Sequence, residues 1–212
     1  MLHQPFSIKS RRVALPDGIR PGIIMVRSGK IENILPYDAH TEGNHQVDAG
    51  DALLSAGFID CHVHLNEPGR ADWEGFDSGT RAAAAGGITT LVDMPLNSSP
   101  VTTDEIRFRQ KIQSSAGKLQ VNCGFWGGVI PGNANEIEKL LSAGTLGLKA
   151  FLSHSGIDEF PNSHEDNLRA ALQILKKHNK PFFVIASQFV DHPVKLSRSL
   201  CITYIGIHTD KF

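Results

Sequence analysis

His62 and His64 stand two residues apart in the run GFIDCHVHLNEPGR. Alternate residues of an extended chain share a face, so this spacing sets two imidazoles side by side while Val63 turns toward whatever covers the other face. Imidazole nitrogen is a good ligand for zinc and related divalent metals, so the chemistry on offer is metal binding. The pair also has an ordinary reading, as two partly exposed or hydrogen-bonded histidines among the ten in the chain. Position favours the ligand reading, because the pair closes an apolar strand, and parallel barrels place their chemistry at strand C-termini. Lys149 is the next conspicuous residue. It lies inside the apolar run LGLKAFL, where an ammonium without a partner is costly and something must compensate for it.

The elements that must carry these residues are legible as a change of rhythm. The first fifty-odd residues read as short β runs divided by turn signals: FSIKSRRVAL, then PDG, then GIIMVRSGKIENILPY with Ser28 and Gly29 at a hairpin tip. Residues 1–54 are therefore expected to form a small β domain. Strands and helices then alternate: LLSAGFIDCHVHL, FDSGTRAAAAG, GITTLVDMP, TTDEIRFRQKIQSSAG, KLQVNCGFWGGVI, NANEIEKLLSAG, TLGLKAFLS, HEDNLRAALQILKKHN and KPFFVIAS. Five strands with four helices between them predict a parallel sheet covered by helices, either doubly wound or a closed barrel. Residues 55–187 supply about five βα units where a whole barrel has eight and takes about 250 residues, so an incomplete barrel is expected. Residues 188–212 lose the apolar periodicity and read as a divergent tail. The stretch AAAAGGIT is a close helix-to-strand connection rather than a phosphate loop, since the order strand, glycine loop, helix is lacking.

Bulk composition narrows the partners. A formal net charge of −1 and 20% charged residues leave no electrostatic footprint for nucleic acid or an anionic membrane, so a small molecule is the expected partner. No apolar run reaches the roughly 18 residues of a membrane span, and the start MLHQPFSIKSRR lacks a secretory apolar stretch, so the expected compartment is cytoplasmic. Cys61, Cys123 and Cys201 are odd in number and form no CxxC pair, which suits a reducing setting.

The string GFIDCHVHLNEPG resembles the first-strand signature of the amidohydrolase superfamily, in its branch of dihydroorotases, hydantoinases and allantoinases. The likeness runs from about residue 10 to about residue 184, through GTRAAAAGGITTLVDMPLNSSP and GLKAFLS. It implies a TIM-type (β/α)8 barrel with a small N-terminal β domain, two zinc ions with cobalt or manganese as alternatives, and His62, His64 and Lys149 as metal ligands. In this family the equivalent lysine takes up carbon dioxide and becomes a carboxylate-like bridge; lysine suits this because its amine can lose its proton when buried near cations. The implied reaction is hydrolysis of a cyclic amide, with a carboxylate from the eighth strand relaying the proton to the leaving nitrogen. Dihydroorotases usually carry arginine two places after the second histidine, to clamp the substrate carboxylate. Asn66 stands there, which suits an uncharged ureido ring and points to allantoinase chemistry, allantoin opening to allantoate. Asn97 and Ser98 are expected at the substrate, with a turn role as the alternative. Asp60 is expected behind a ligand histidine or as a purely structural group. Glu67, Trp73 and Glu74 read as loop packing and helix N-terminal charge. His154, His164 and His178 read as surface residues, with a substrate-loop role for His154 and Ser155 as the lesser reading. Family likeness also implies a homotetramer for an intact enzyme.

The chain departs from the family after Val184. Ile185, Ala186 and Ser187 stand where a HAE-like motif is expected, so a ligand of the second metal is missing, and the family's catalytic aspartate has no counterpart in the tail. Neither His192 nor His208 has a strand-end context. Two readings follow: an allantoinase-type hydrolase whose missing groups come from another chain, and a non-catalytic fragment that associates with a partner subunit. Hydantoinase or dihydropyrimidinase activity is a further alternative. A metal-free binding relative is disfavoured, since such relatives generally lose the histidines and the lysine.

Overall fold

The computed structural model describes residues 4–41 and 45–185. The tail at 188–212, with His192 and His208, and the positions of Ala186 and Ser187 lie outside the described residues. The chain divides between Gly57 and Phe58 into two compact units.

The first unit is a five-stranded sheet. β1 (Phe6–Leu15) pairs antiparallel with β2 (Gly18–Arg27), and β2 with β3 (Lys30–Leu35). β4 (His45–Asp48) and β5 (Leu53–Leu54) add to β1 in parallel. Arg27 pairs with Lys30 across Ser28 (φ 50°) and Gly29 (φ 74°). Two successive positive φ values are what a two-residue type I′ hairpin needs, so the SerGly tip lies where the sequence puts it. β1 is bulged between Ser10 and Val13, and there the buried Ser10 hydroxyl donates to the Ala52 carbonyl at 2.6 Å. β4 was not foreseen: HQVD is exposed along its whole length and, with Val47 its one apolar residue, offers no apolar period.

The second unit alternates strand and helix. Its elements are β6 (Phe58–Val63), α1 (Phe76–Ala85), β7 (Ile88–Asp93), α2 (Glu105–Ser115), β8 (Asn122–Phe125), β9 (Gly127–Gly128), α3 (Ile137–Ser142), β10 (Leu148–Phe151), α4 (Glu165–His178) and β11 (Phe182–Ile185). All pairings are parallel, in the orders β6-β7-β8 and β9-β10-β11. β8 and β9 are one extended run interrupted at Trp126, whose N–H still reaches the Asp93 carbonyl at 2.9 Å, while Gly127 N–H moves on to Gly147 at 2.9 Å. Gly147 is required at that crossing. A Cβ there would lie 2.3 Å from the Trp126 ring and 2.4 Å from the Pro181 carbonyl.

Side chains alternate between two apolar layers with the strand period of two. Leu91, Phe125, Leu148, Ala150 and Phe182 pack with Phe76, Phe108, Leu140 and Leu175 of the helices. Val92, Trp126, Phe151 and, partly buried, Phe183 and Ile185 form the other layer. Val63 joins the helix-side layer, so its neighbours His62 and His64 fall on the opposite face together with Lys149, which alternates with Leu148 and Ala150. Among the described residues no helix is long and apolar enough to cross a membrane.

Candidate functional site

β6 loses register with β7 between Asp60 and Val63. Such an irregularity re-aims side chains at a strand end. Asp60 answers it locally, its Oδ1 accepting the His62 N–H at 2.9 Å. His62 and His64 then lie with ring centroids 5.6 Å apart, tilted by 51°. Lys149 comes from β10, and its Nζ reaches to 3.2 Å from His62 Nε2. Three residues separated by up to 87 positions thus converge on one face at the strand ends.

The electrostatics are unusual for two histidines and a lysine. Lys149 is 1% exposed, and burial pulls its ammonium down to about 8. Among the described residues no acid pairs with it; the Phe151 ring, 4.9 Å away, faces its Nζ. Burial, then the neighbouring Lys149, holds His64 down to about 4, and the same two causes in the same order lower His62. All three groups are pushed toward their neutral forms, which for imidazole and amine are the forms with a free lone pair.

Two loops frame this face. Asn66 follows the histidines with φ 55°, 7% exposed, its Oδ1 buried without a partner among the described residues. Asn97 (φ 71°) brings its side-chain amide to 3.3 Å from His64 Nδ1. Ser98 is fully buried and its hydroxyl donates to the Pro100 carbonyl at 3.2 Å, closing the turn that presents Asn97. Arg70 ties the loops together, donating to the Asn97 carbonyl at 3.0 Å and pairing with Glu159 at 2.7 Å. Glu67 serves α1: its Oε2 accepts the Phe76 N–H at 3.0 Å and its Oε1 meets Lys118. Trp73 is exposed under the Arg70 guanidinium, and Glu74 meets Ser78 in the first turn of α1. His154 and His164 are exposed. His178 is not a plain surface residue, since it joins α4 to α3 through Glu138 at 2.6 Å. A separate hollow of about 360 Å³, lined by Pro68, Pro100, Gln110, Gln113 and Ser114, holds none of the three converging residues.

One buried pair was absent from the sequence reading. Asp93 at the end of β7 and Lys111 in α2 meet at 2.6 Å with 0% and 1% of their side chains exposed. The available signal is the helical spacing Phe108, Lys111, Ser115, the three buried positions of α2, which marks 111 as facing inward.

A model of the amidohydrolase family matches residues 53–185. The chain belongs to the amidohydrolase family. Among its relatives within this family, an allantoinase of Arabidopsis thaliana is 44% identical over 191 residues, 87% of this chain and 38% of the relative. An allantoinase of Streptomyces avermitilis is 49% identical over 166 residues, 78% of this chain and 37% of the relative. The solved L-hydantoinase (dihydropyrimidinase) of Arthrobacter aurescens superposes with a TM-score of 0.79 at 29% identity, over 86% of this chain and 41% of that one. The chain spans well under half the length of these amidohydrolases. Its alternating parallel units are the architecture it shares with them.

Proposed function

We propose that this chain carries the first part of an allantoinase-type site, which hydrolyses the hydantoin ring of allantoin to allantoate. The observation that carries the reading is the convergence of His62, His64 and Lys149 on one face. The donor set fits a divalent metal: two imidazoles held neutral, and a buried lysine drawn toward the free amine with an aromatic ring rather than an acid beside it. His62, His64 and Lys149 would hold it, with Lys149 as its N6-carboxylate, and zinc is proposed, with cobalt or manganese as alternatives. Such a metal, when bound, polarises the ring amide carbonyl and acidifies water.

The chain's own residues do the rest of what it can do. Asp60 fixes the His62 backbone, and Asn97 fixes the His64 ring. Asn66 and Asn97 offer neutral donors and acceptors to an uncharged ring, with Ser98 closing the turn beneath. Among the described residues no three His, Cys, Asp or Glu side chains converge, so further ligands and the acid–base carboxylate are proposed to come from outside them. The five parallel strands are inferred to be the first part of an eight-stranded barrel, the β sheet of residues 1–54 a separate small domain, and the intact enzyme a cytoplasmic homotetramer. A hydantoinase or dihydropyrimidinase reading is favoured by the superposition on the L-hydantoinase; identities of 44 and 49% to allantoinases favour allantoin.

The test is to purify the chain with zinc, cobalt or manganese and measure allantoate release and metal uptake beside His62→Asn/His64→Asn. Uptake that depends on the pair, with allantoin opened faster than hydantoin or dihydrouracil, supports the reading. Metal uptake indifferent to the double substitution sinks the ligand assignment. Allantoate release no greater than that of the double variant leaves the non-catalytic fragment as the function.

A further inference from the structure

We infer that Asp93 and Lys111 form a buried positioning clamp for His64. The inference rests on the metal-ligand reading above. Asp93 Oδ1 accepts the Leu65 N–H at 2.8 Å, immediately after His64. Met94 N–H donates to the Val63 carbonyl at 2.9 Å, immediately before it. Lys111 reaches from α2 to both of these anchors, with its Nζ 2.6 Å from Asp93 Oδ2 and donating to the Met94 carbonyl at 2.7 Å. The backbone on either side of His64 is therefore bonded to two consecutive residues that one lysine locks to a helix. Asp93 points away from the histidines, since it alternates with Val92 and Met94 of the inner layer.

Stability alone does not account for the pair. Two charges taken out of water cost several kcal/mol, and well-packed apolar residues of similar volume in their place are often neutral or stabilising. What apolar residues cannot supply is an acceptor for the Leu65 N–H. Functional side chains have to be held to about 0.5 Å and 10–20° by such supports. Lys111 is a positioning residue at one remove: it orients the carboxylate that orients the backbone beside the ligand.

The experiment uses the full chain and Co²⁺ as probe, read by its absorption bands, together with ring ¹⁵N shifts of His64 in the metal-free protein. Asp93→Leu/Lys111→Met removes both charges and the acceptor; Asp93→Asn/Lys111→Met removes both charges and keeps an acceptor oxygen. The second is expected to melt close to the parent, and the first somewhat below it because the Leu65 N–H is left unpaired. The first is expected to bind Co²⁺ at least tenfold more weakly, within the range lost when outer supports of metal ligands are removed, and to shift the His64 ring and its contact with Asn97. The second stays within about threefold of the parent with the His64 shifts unchanged. Parent-like affinity and His64 shifts in the Leu/Met variant overturn the clamp. Should that variant not fold, Asp93→Val/Lys111→Leu, a second apolar pair without the acceptor, decides in the same way: a parent-like Co²⁺ affinity and parent-like His64 shifts overturn the clamp. If the parent's Co²⁺ uptake ignores His62→Asn/His64→Asn, the ligand reading fails, while the metal-free ring shifts still decide the clamp.

Discussion

Lys149 Nζ lies 3.2 Å from His62 Nε2 where the strand ends converge, with the Phe151 ring 4.9 Å away. A full ammonium at 1% exposure against an imidazole is an expensive arrangement, and it becomes economical once the amine is neutral or carboxylated. An ammonium that titrates at about 8 leaves about a tenth of the lysine as free amine at pH 7, against well under one in a thousand for an ordinary lysine.

Lys149 is accordingly expected to react with carbon dioxide in preference to the other lysines. ¹³C-bicarbonate should give, beside the carbamate of the α-amine, one further resonance that strengthens between pH 6.5 and 8.5 and grows with zinc. That further resonance should be absent from Lys149→Arg. If it persists in that variant, the modification lies elsewhere.

Acid should loosen the fold before ordinary carboxylates titrate. His64 is held at about 4, whereas the unfolded chain protonates it at about 6.5. Between those values the unfolded state binds the extra proton, so stability is fully present above 6.5 and is lost as pH falls toward 4. The ceiling is about 3 kcal/mol, reduced by the ring's residual exposure. Urea denaturation stepped from pH 7 to pH 5 should show a slope that His64→Gln flattens. An unchanged slope in that variant would mean the ring is not held neutral by burial.

Much of the arrangement was legible because it rests on local periodicity. The HxH spacing, the alternation of apolar strands with capped helices, and a lysine within LGLKAFL each announce themselves within a dozen residues. What escaped depends on partners distant in sequence. Asp93 reads as the polar end of VDMP, and Lys111 is one more cation in EIRFRQKIQSS; only packing α2 on β7 shows that the two neutralise each other out of solvent. Glu67 reads as loop packing or helix N-terminal charge, and its bond to the Phe76 N–H agrees; its contact with Lys118 is what the sequence does not announce. Asn97 is expected at the substrate or in a turn; its contact with the His64 ring follows from a left-handed backbone that sequence alone does not reveal.

The loop bearing Asn66 and the loop bearing Asn97 approach each other through Gly69. Its φ is +92°, and a Cβ there would lie 2.4 Å from the Ser99 carbonyl oxygen, while Ser99 N–H donates to Pro68 at 2.8 Å. Gly69→Ala combines left-handed strain of about 1–2 kcal/mol with a clash against backbone that cannot rotate away. A loss of at least 2 kcal/mol is expected in chemical denaturation, together with weaker binding of Co²⁺ as the loops separate. A neutral substitution would show that the loops are not held this closely.

Asn97 permits the roles of backbone and side chain to be separated. Its φ of 71° is a conformation that glycine adopts freely, so Asn97→Gly keeps the turn and deletes only the amide beside His64. The Asn97 atom beside Nδ1 is the amide nitrogen, which donates to the ring and holds its orientation, so losing the amide frees the ring to turn away from the pose that a metal needs. The glycine variant is expected to melt within a degree or two of the parent yet bind Co²⁺ about tenfold more weakly. Asn97→Ala should show the same loss of binding plus about 1 kcal/mol of strain in the fold. Equal stability in the two variants would contradict the left-handed turn; equal Co²⁺ affinity in parent and glycine variant would remove Asn97 from the support of His64.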